Sequence, residues 1–172
     1  MGLLACQYAV IIKLTFKEDM LMKYSTKVSD AVHILAFIQL NPTGSLSSDS
    51  IAESIRTNPG CVRQLMSALR RAGLLSSVKG RPSPSLAKAP SAITLLDIYK
   101  AVEGDKPLLH LDTHTNPECG VGIYIQLSLR DYFDQVQRTS EDEMRRITLK
   151  DILDRYQEKL SVPSEKPFEE TL

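Results

Sequence analysis

Five stretches of this chain repeat apolar residues at helical spacing, and a sixth fits two periods at once. From Tyr24 to Leu40, the residues Val28, Ala31, Val32, Leu35 and Ile38 recur every three or four positions, which predicts a first helix with one buried face. Asn41-Pro42-Thr43-Gly44 breaks it. Ser47, Ser48 and Ser50 then offer caps to a short second helix with Ile51, Ala52 and Ile55 inward, Ser50 and Glu53 having capping-box spacing. Asn58-Pro59 restarts a third helix, an N-cap side chain followed by a residue whose missing N–H costs nothing in the first turn. Val62, Leu65, Met66 and Leu69 form its inner face and Gly73 its C-terminal stop.

Two short strands are expected next, Leu74–Val78 and Leu86–Ala87, around a Gly80-Arg81-Pro82-Ser83-Pro84-Ser85 tip that has no regular structure. Thr94 caps a fourth helix through Leu95, Ile98, Ala101 and Val102, which Gly104 ends. Asp105–Glu118 reads as a loop. In the segment from Gly120 to about Arg138, Ile123, Ile125, Leu127 and Leu129 alternate as a strand would, while Val121, Ile125, Ser128, Tyr132 and Val136 repeat as a helix would. Length and the polar residues beyond it favour helix. A helix apolar on more than one side needs two partners, so it is expected to cross its own domain and a second subunit. Thr148 caps a last short helix with Leu149, Ile152 and Leu153. The fold class expected is mainly α with a small β-hairpin wing: a winged helix-turn-helix with a long C-terminal dimerisation helix.

Charge gives this fold a direction. The chain is neutral, with 21 Lys and Arg against 21 Asp and Glu. Between Glu53 and Asp97, however, there is no acid, and Arg56, Arg63, Arg70, Arg71, Lys79, Arg81 and Lys88 fall in that window. Such a concentrated basic stretch suits a polyanion, because neutralising phosphates releases condensed counterions. The third helix, read as a recognition helix, turns Gly60, Gln64, Ser67 and Arg71 away from its apolar face, flanked by Arg63 and Arg70. Arg63 and Gln64, near its start, are candidates to read base edges, where Arg pairs with guanine and Gln with adenine. Arg70, Arg71 and Lys79 are candidates for phosphate. Asn58, Ser67 and Arg81 complete the DNA-facing set.

The remaining composition sets limits. Hydrophobic content of 42% supports a core, and no apolar run approaches the roughly 18 residues of a membrane span. Three scattered cysteines, Cys6, Cys61 and Cys119, argue for a reducing, cytoplasmic compartment rather than a disulfide framework. Aromatic residues are too few, at 6% with no Trp, to favour stacking on single strands. Residues 1–21 fit poorly with the rest of the chain. Lys17-Glu18-Asp19 can be encoded as AAGGAGGA, a ribosome-binding sequence just upstream of Met20 and Met22, so 1–21 are expected to be a translated leader or an extension. Residues 22–104 are the expected DNA-binding domain, 105–156 the loop and dimerisation-helix region, and 157–172 a disordered tail.

Two small chemistries remain. Cys61 falls in the first turn of the recognition helix beside Arg63, where the helix dipole favours a thiolate. Oxidation there would put bulk or charge into the DNA face. Cys119 lies near the expected dimer helix and could cross-link subunits. Both are candidate redox-switch residues. His110, His114 and Cys119 have metal-binding chemistry, but their spacing lies in a loop, and solvated loop side chains are the reading adopted; no metal site and no cofactor are expected. No phosphate-cradling Gly-rich loop, nucleophile elbow or His–carboxylate motif suggests an enzyme.

The order of several segments resembles a known family. Met22-Lys23-Tyr24-Ser25 leads into helix one and Ile51-Ala52-Glu53 lies in helix two. Val62-Arg63-Gln64-Leu65-Met66-Ser67-Ala68-Leu69-Arg70-Arg71-Ala72-Gly73-Leu74-Leu75 precedes Val78-Lys79-Gly80. Ala89-Pro90-Ser91-Ala92-Ile93-Thr94-Leu95-Leu96-Asp97-Ile98 and Ala101-Val102-Glu103-Gly104 come after them. Together they resemble the Rrf-two-type bacterial regulators, relatives of the iron–sulfur cluster, nitric-oxide and cysteine-metabolism repressors, over about Met22 to Leu153. The resemblance implies a homodimer with crossed C-terminal helices and two winged heads on a palindromic double-stranded DNA operator. Two departures stand out. The family's wing has consecutive glycines, whereas Arg81-Pro82-Ser83-Pro84-Ser85 stands here. Its cluster-binding members carry three cysteines before the long helix, whereas only Cys119 stands here, so a non-cluster member is expected.

The function expected is therefore a dimeric, sequence-specific DNA-binding regulator, a repressor responsive to thiol oxidation or a small molecule. The alternative is a winged-helix protein-interaction module without sequence-specific DNA binding.

Overall fold

The computed structural model describes residues 25–76, 83–112, 114–116 and 118–161. The leader expected at 1–21, the tail from 162, and Lys79 and Arg81 of the wing lie outside the described residues. The elements run α1 (Lys27–Leu40), α2 (Ser48–Ile55), α3 (Pro59–Arg71), β1 (Leu75–Ser76), β2 (Ser85–Leu86), α4 (Leu95–Glu103), α5 (Gly120–Arg146) and α6 (Leu149–Ser161). The chain is mainly helical, with one antiparallel hairpin pairing Leu75 with Leu86 and Ser76 with Ser85. Helix-turn-helix followed by a short hairpin is the winged architecture expected from the pattern.

A single core joins the first four helices, the hairpin and the start of α6. Ile34, Leu35, Ile51, Val62, Leu69, Leu74, Ile93, Ile98 and Leu149 are fully buried in it. The inner face read for α3 is buried as expected, at Val62, Leu65, Met66 and Leu69. On α1 the buried set is Ala31, Ile34, Leu35 and Ile38, with Val28 and Val32 half-buried. Ile34, absent from the periodicity reading, is buried because α1 packs against α3, α4, α6 and β2, and so covers a wider arc than one stripe.

One helix start and two helix ends refine the expected boundaries. Ser47, rather than Ser50, caps α2, its hydroxyl accepting from the Ser50 N–H at 3.1 Å. Ser50 is the third residue of the helix and supplies the capped donor. The long segment is helical over 27 residues, eight beyond the expected end at Arg138, because no Pro or Gly follows Gly122 before the helix ends at Arg146. α6 likewise continues to Ser161, five residues into the expected tail.

The corner between α5 and α6 is fastened to the start of α4. Thr94 and Thr148 form an isolated antiparallel bridge, with Leu95 N donating to Ile147 O and Leu149 N to Ile93 O, both at 2.8 Å. Each threonine also exchanges bonds with the aspartate three residues on, Thr94 with Asp97 and Thr148 with Asp151. Behind this lies a short internal repeat, Ile93-Thr94-Leu95-Leu96-Asp97 and Ile147-Thr148-Leu149-Lys150-Asp151.

Candidate nucleic-acid interface

Helix α3 is built to project from the head. Asn58 caps it, Oδ1 accepting from Gly60 N at 2.6 Å, and Pro59 occupies the first turn without losing a bond. At the other end Gly73 takes φ +67°, with Leu74 N donating to Leu69 O and Gly73 N to Arg70 O. This paired closure needs a left-handed residue, which glycine supplies without a Cβ penalty. It turns the chain so that Leu74 and Leu75 enter the core and β1 starts the wing.

The face left outside carries Cys61, Arg63, Gln64, Arg70 and Arg71, all exposed, with Ser67 half-buried between them. No acid lies in α3. Arg63 reaches back to α2, its Nη1 donating to Ser48 Oγ at 3.3 Å. Arg71 Nη1 donates to Ser67 Oγ at 3.1 Å, so that hydroxyl is already engaged. Asn58 is likewise occupied through Oδ1 by the cap. The set therefore separates into ends with no side-chain partner among the described residues (Gln64, Arg70), tethered ends (Arg63, Arg71) and groups spent on structure (Asn58, Ser67).

Two residues outside the expected set share this region. Ser48 holds Arg63, and Arg56, exposed with φ +58°, forms the turn between α2 and α3. Arg56 was legible as part of the acid-free window. Ser48 was not, since its contact depends on how α2 and α3 cross. The region is not purely cationic, because Asp49 is exposed in the first turn of α2.

Helix α5 carries two stripes. Gly122, Gln126, Leu129, Phe133, Gln137, Ser140 and Met144 are half-covered by the chain's own head and loop. Leu108 N donates to Gln137 Oε1 at 2.9 Å, and a Cβ on Gly122 would stand 2.5 Å from Thr115 Cγ2, so Leu108 and Thr115 meet the helix in the reverse of its chain order. Lys100 Nζ of α4 lies 2.9 Å from Glu141 Oε1. Hydrogen bonds from Gln137, then from Lys100, hold the Glu141 carboxyl below its usual range, and the Glu141 bond raises Lys100. The second stripe, by contrast, is open: Val121 is 77%, Tyr124 71% and Tyr132 66% exposed, and α5 buries no residue fully. This is the stripe of Val121, Ile125, Ser128, Tyr132 and Val136 that the helical period picked out.

Cys119 is exposed at the N-cap of α5 and gives no side-chain cap bond. His114 lies 3.5 Å from Asp112, and among the described residues no three His, Cys, Asp or Glu side chains are grouped to hold a metal. An iron–sulfur cluster takes about four cysteine ligands as a rule. The chain has three cysteines in all, with Cys61 on α3 and Cys119 at the head of α5. The donor set does not fit such a cluster. No helix among the described residues is long and apolar enough to cross a membrane.

Comparison with known proteins agrees with this architecture. The family model Rrf2, described as an iron-dependent transcriptional regulator, matches residues 24–155. An HTH-type transcriptional regulator of Bacillus subtilis, YwnA, is 39% identical over 129 residues, covering 75% of this chain and 96% of the relative. The global cysteine regulator CymR of B. subtilis is 25% identical with a TM-score of 0.56, covering 78% of this chain and 98% of CymR. The T. potens IscR structure is 26% identical with a TM-score of 0.60, covering 85% of this chain and 96% of that one. By sequence and by fold, the chain belongs to the Rrf2 family of transcriptional regulators.

Proposed function

We propose that the protein is a cytoplasmic, homodimeric repressor that binds a palindromic double-stranded DNA operator through α3. The observation that carries this reading is the outward face of α3, which offers three arginines and Gln64 with no acid on the helix. Arg63 and Gln64, in the first half of the helix, are assigned to base edges. Arg70 and Arg71 in its last turn are assigned to phosphate, with Lys79 and Arg81 extending the grip along the wing. Asn58 and Ser67 hold the helix start and Arg71 in place, and contact DNA only through their remaining polar atoms. The open stripe of α5 supports the dimer: an exposed row of Val121, Ile125, Tyr132 and Val136 on a helix about 40 Å long is the kind of face a second copy covers.

Selection of bound fragments from random DNA tests the reading. A palindromic consensus, with affinity falling steeply as salt rises, is the expected result. Affinity indifferent to salt and to sequence would instead favour a protein-interaction module.

The candidate switch is thiol-based. Cys61 is exposed in the first turn of α3, three positions from Asn58 and two from Arg63. Oxidation of its thiol by peroxide to a sulfenic acid, with release of water, would add a polar group within the DNA-reading turn. Cys119, exposed at the head of α5, is the second candidate. Operator binding that survives peroxide in Cys61→Ser or Cys119→Ser, but not in wild type, identifies the residue responsible. Equal loss in all three proteins rules out the thiol switch.

A further inference from the structure

We propose that the groove between α1 and α6 is an effector site for a small, uncharged aromatic molecule bearing one hydroxyl or carbonyl group. The groove is open on one side and has a volume of about 620 Å³, within the range of about 300–1,000 Å³ common for small-molecule sites. Val32 and Phe37 of α1 and Ile152 and Tyr156 of α6 supply its apolar walls. Phe37 and Tyr156 supply one aromatic side chain from each helix, which suits an aromatic body. No Asp, Glu, Lys or Arg is among the described residues that line it. A charged ligand would be desolvated there without an ionic partner, so an uncharged one fits. One polar pair completes the lining: His33 Nε2 of α1 lies 2.9 Å from Ser54 Oγ of α2, and both residues are exposed. A ligand hydroxyl or carbonyl can enter this pair by exchanging one hydrogen bond for another.

The position of the groove connects it to the DNA-facing helix. Ser54 lies at the C-terminal end of α2, and Ser48, which holds Arg63, is its first residue. α2 has eight residues, a rod about 12 Å long at the α-helical rise. Displacing Ser54 from His33 tilts that rod and shifts the Ser48–Arg63 contact at its far end. Val32 and Leu153 line the groove and also pack on the core, so a ligand that parts α1 from α6 also disturbs the packing beneath α3.

The regulatory consequence rests on the DNA-binding reading, whereas occupancy of the groove does not. The test therefore measures the two separately, using the full chain and 2-naphthol, an uncharged fluorescent probe. Without DNA, 2-naphthol is expected to bind saturably, one per chain. Ala36→Phe, which fills the groove from a half-exposed position, is expected to weaken binding at least tenfold. His33→Phe, which keeps a ring but removes the polar partner, is expected to weaken it severalfold, and serves should Ala36→Phe fold poorly. With the selected operator, saturating 2-naphthol is expected to weaken wild-type affinity at least threefold and to leave Ala36→Phe unaffected. Absence of saturable binding, or binding unchanged in both variants, overturns the site. A change of oligomeric state in Ala36→Phe also overturns it, by giving the groove to a second copy. Probe binding with no effect on operator affinity overturns the effector role. Failure of any DNA to bind counts against the regulator reading alone, since the probe titration needs no DNA.

Discussion

Thr94 and Thr148 face each other across an antiparallel bridge, and each begins a helix that it caps together with an aspartate three residues on. This one contact sets where the long helix ends and where α6 returns. It places Leu149, fully buried, beside Ile93 and Ile98 in the core of the DNA-binding head. The C-terminal helical region is thereby part of the head's own core, so a displacement in one is felt in the other.

Leu149→Ala is expected to destabilise the whole head by about 2–5 kcal/mol, the range for large-to-small changes in a packed core. Thr94→Ala is expected to cost about 0.5–2 kcal/mol through loss of a cap. Urea unfolding should report one transition for both variants. A separate early transition confined to the C-terminal helices in Leu149→Ala would show that α6 is not part of the head's cooperative unit.

On the DNA face, Arg63→Ala is expected to lower operator affinity by about 1–3 kcal/mol and to relax the sequence preference at one position per half-site. Arg70→Ala and Arg71→Ala are expected to weaken operator and random DNA alike and to reduce the salt slope by about one each. Binding isotherms on both DNAs at several salt concentrations separate the two patterns. Equal loss on both DNAs for Arg63→Ala would move it to the phosphate group.

The start of α3 predicts a reversal of sign. A Cβ on Gly60 would stand 2.9 Å from Asn58 Oδ1, so Gly60→Ala pushes the cap away and is expected to cost about 1 kcal/mol. In an Asn58→Ala background the obstacle is gone, and the same change should stabilise by a few tenths of a kcal/mol or more, as alanine is the better helix former. A double-mutant cycle by thermal or urea unfolding measures the coupling; strict additivity would dissociate Gly60 from the cap.

The Lys100–Glu141 pair predicts a pH dependence. The folded state holds the Glu141 carboxyl below its ordinary value of 4.5, first through Gln137 and then through Lys100. Its stabilisation is therefore fully present above that value and is lost as pH falls through the lower folded one. Lys100, raised by Glu141, contributes below its ordinary 10.5 and loses that contribution as pH rises through its folded value. Glu141→Gln should unfold at a lower temperature than wild type near neutral pH, and the two curves should converge in acid. Curves that stay parallel down to about pH 3 would mean that the carboxylate charge is not what Lys100 and Gln137 stabilise.

Much of this was legible in the residues. Asn58-Pro59 and Gly73 bound α3 because caps and left-handed stops depend on local chemistry, which a sequence carries in full. Its inner face was legible because four apolar residues at helical spacing have only one side to share. α1 was read less well: Ile34 lies off the counted stripe, and only packing on several sides buries it. Ser47 rather than Ser50 caps α2 because neighbouring serines are equivalent until the chain chooses its first turn. The Thr94–Thr148 bridge has a trace in the repeated Ile-Thr-Leu-x-Asp, which marks two similar helix starts without saying that they meet.

Local chemistry and periodicity by themselves determined the helices, the turn chemistry, the acid-free window and so the side of the protein that is basic. Tertiary structure alone decided which of those basic residues are tethered: Arg63 is held by Ser48, fifteen residues away, while the Arg70 side chain has no partner among the described residues. It also decided which stripe of α5 is covered by the chain itself and which is left open. The physical reason is common to both. Spacing assigns a side chain to a face, but whether that face meets solvent, another helix or a second copy depends on contacts between segments remote in sequence.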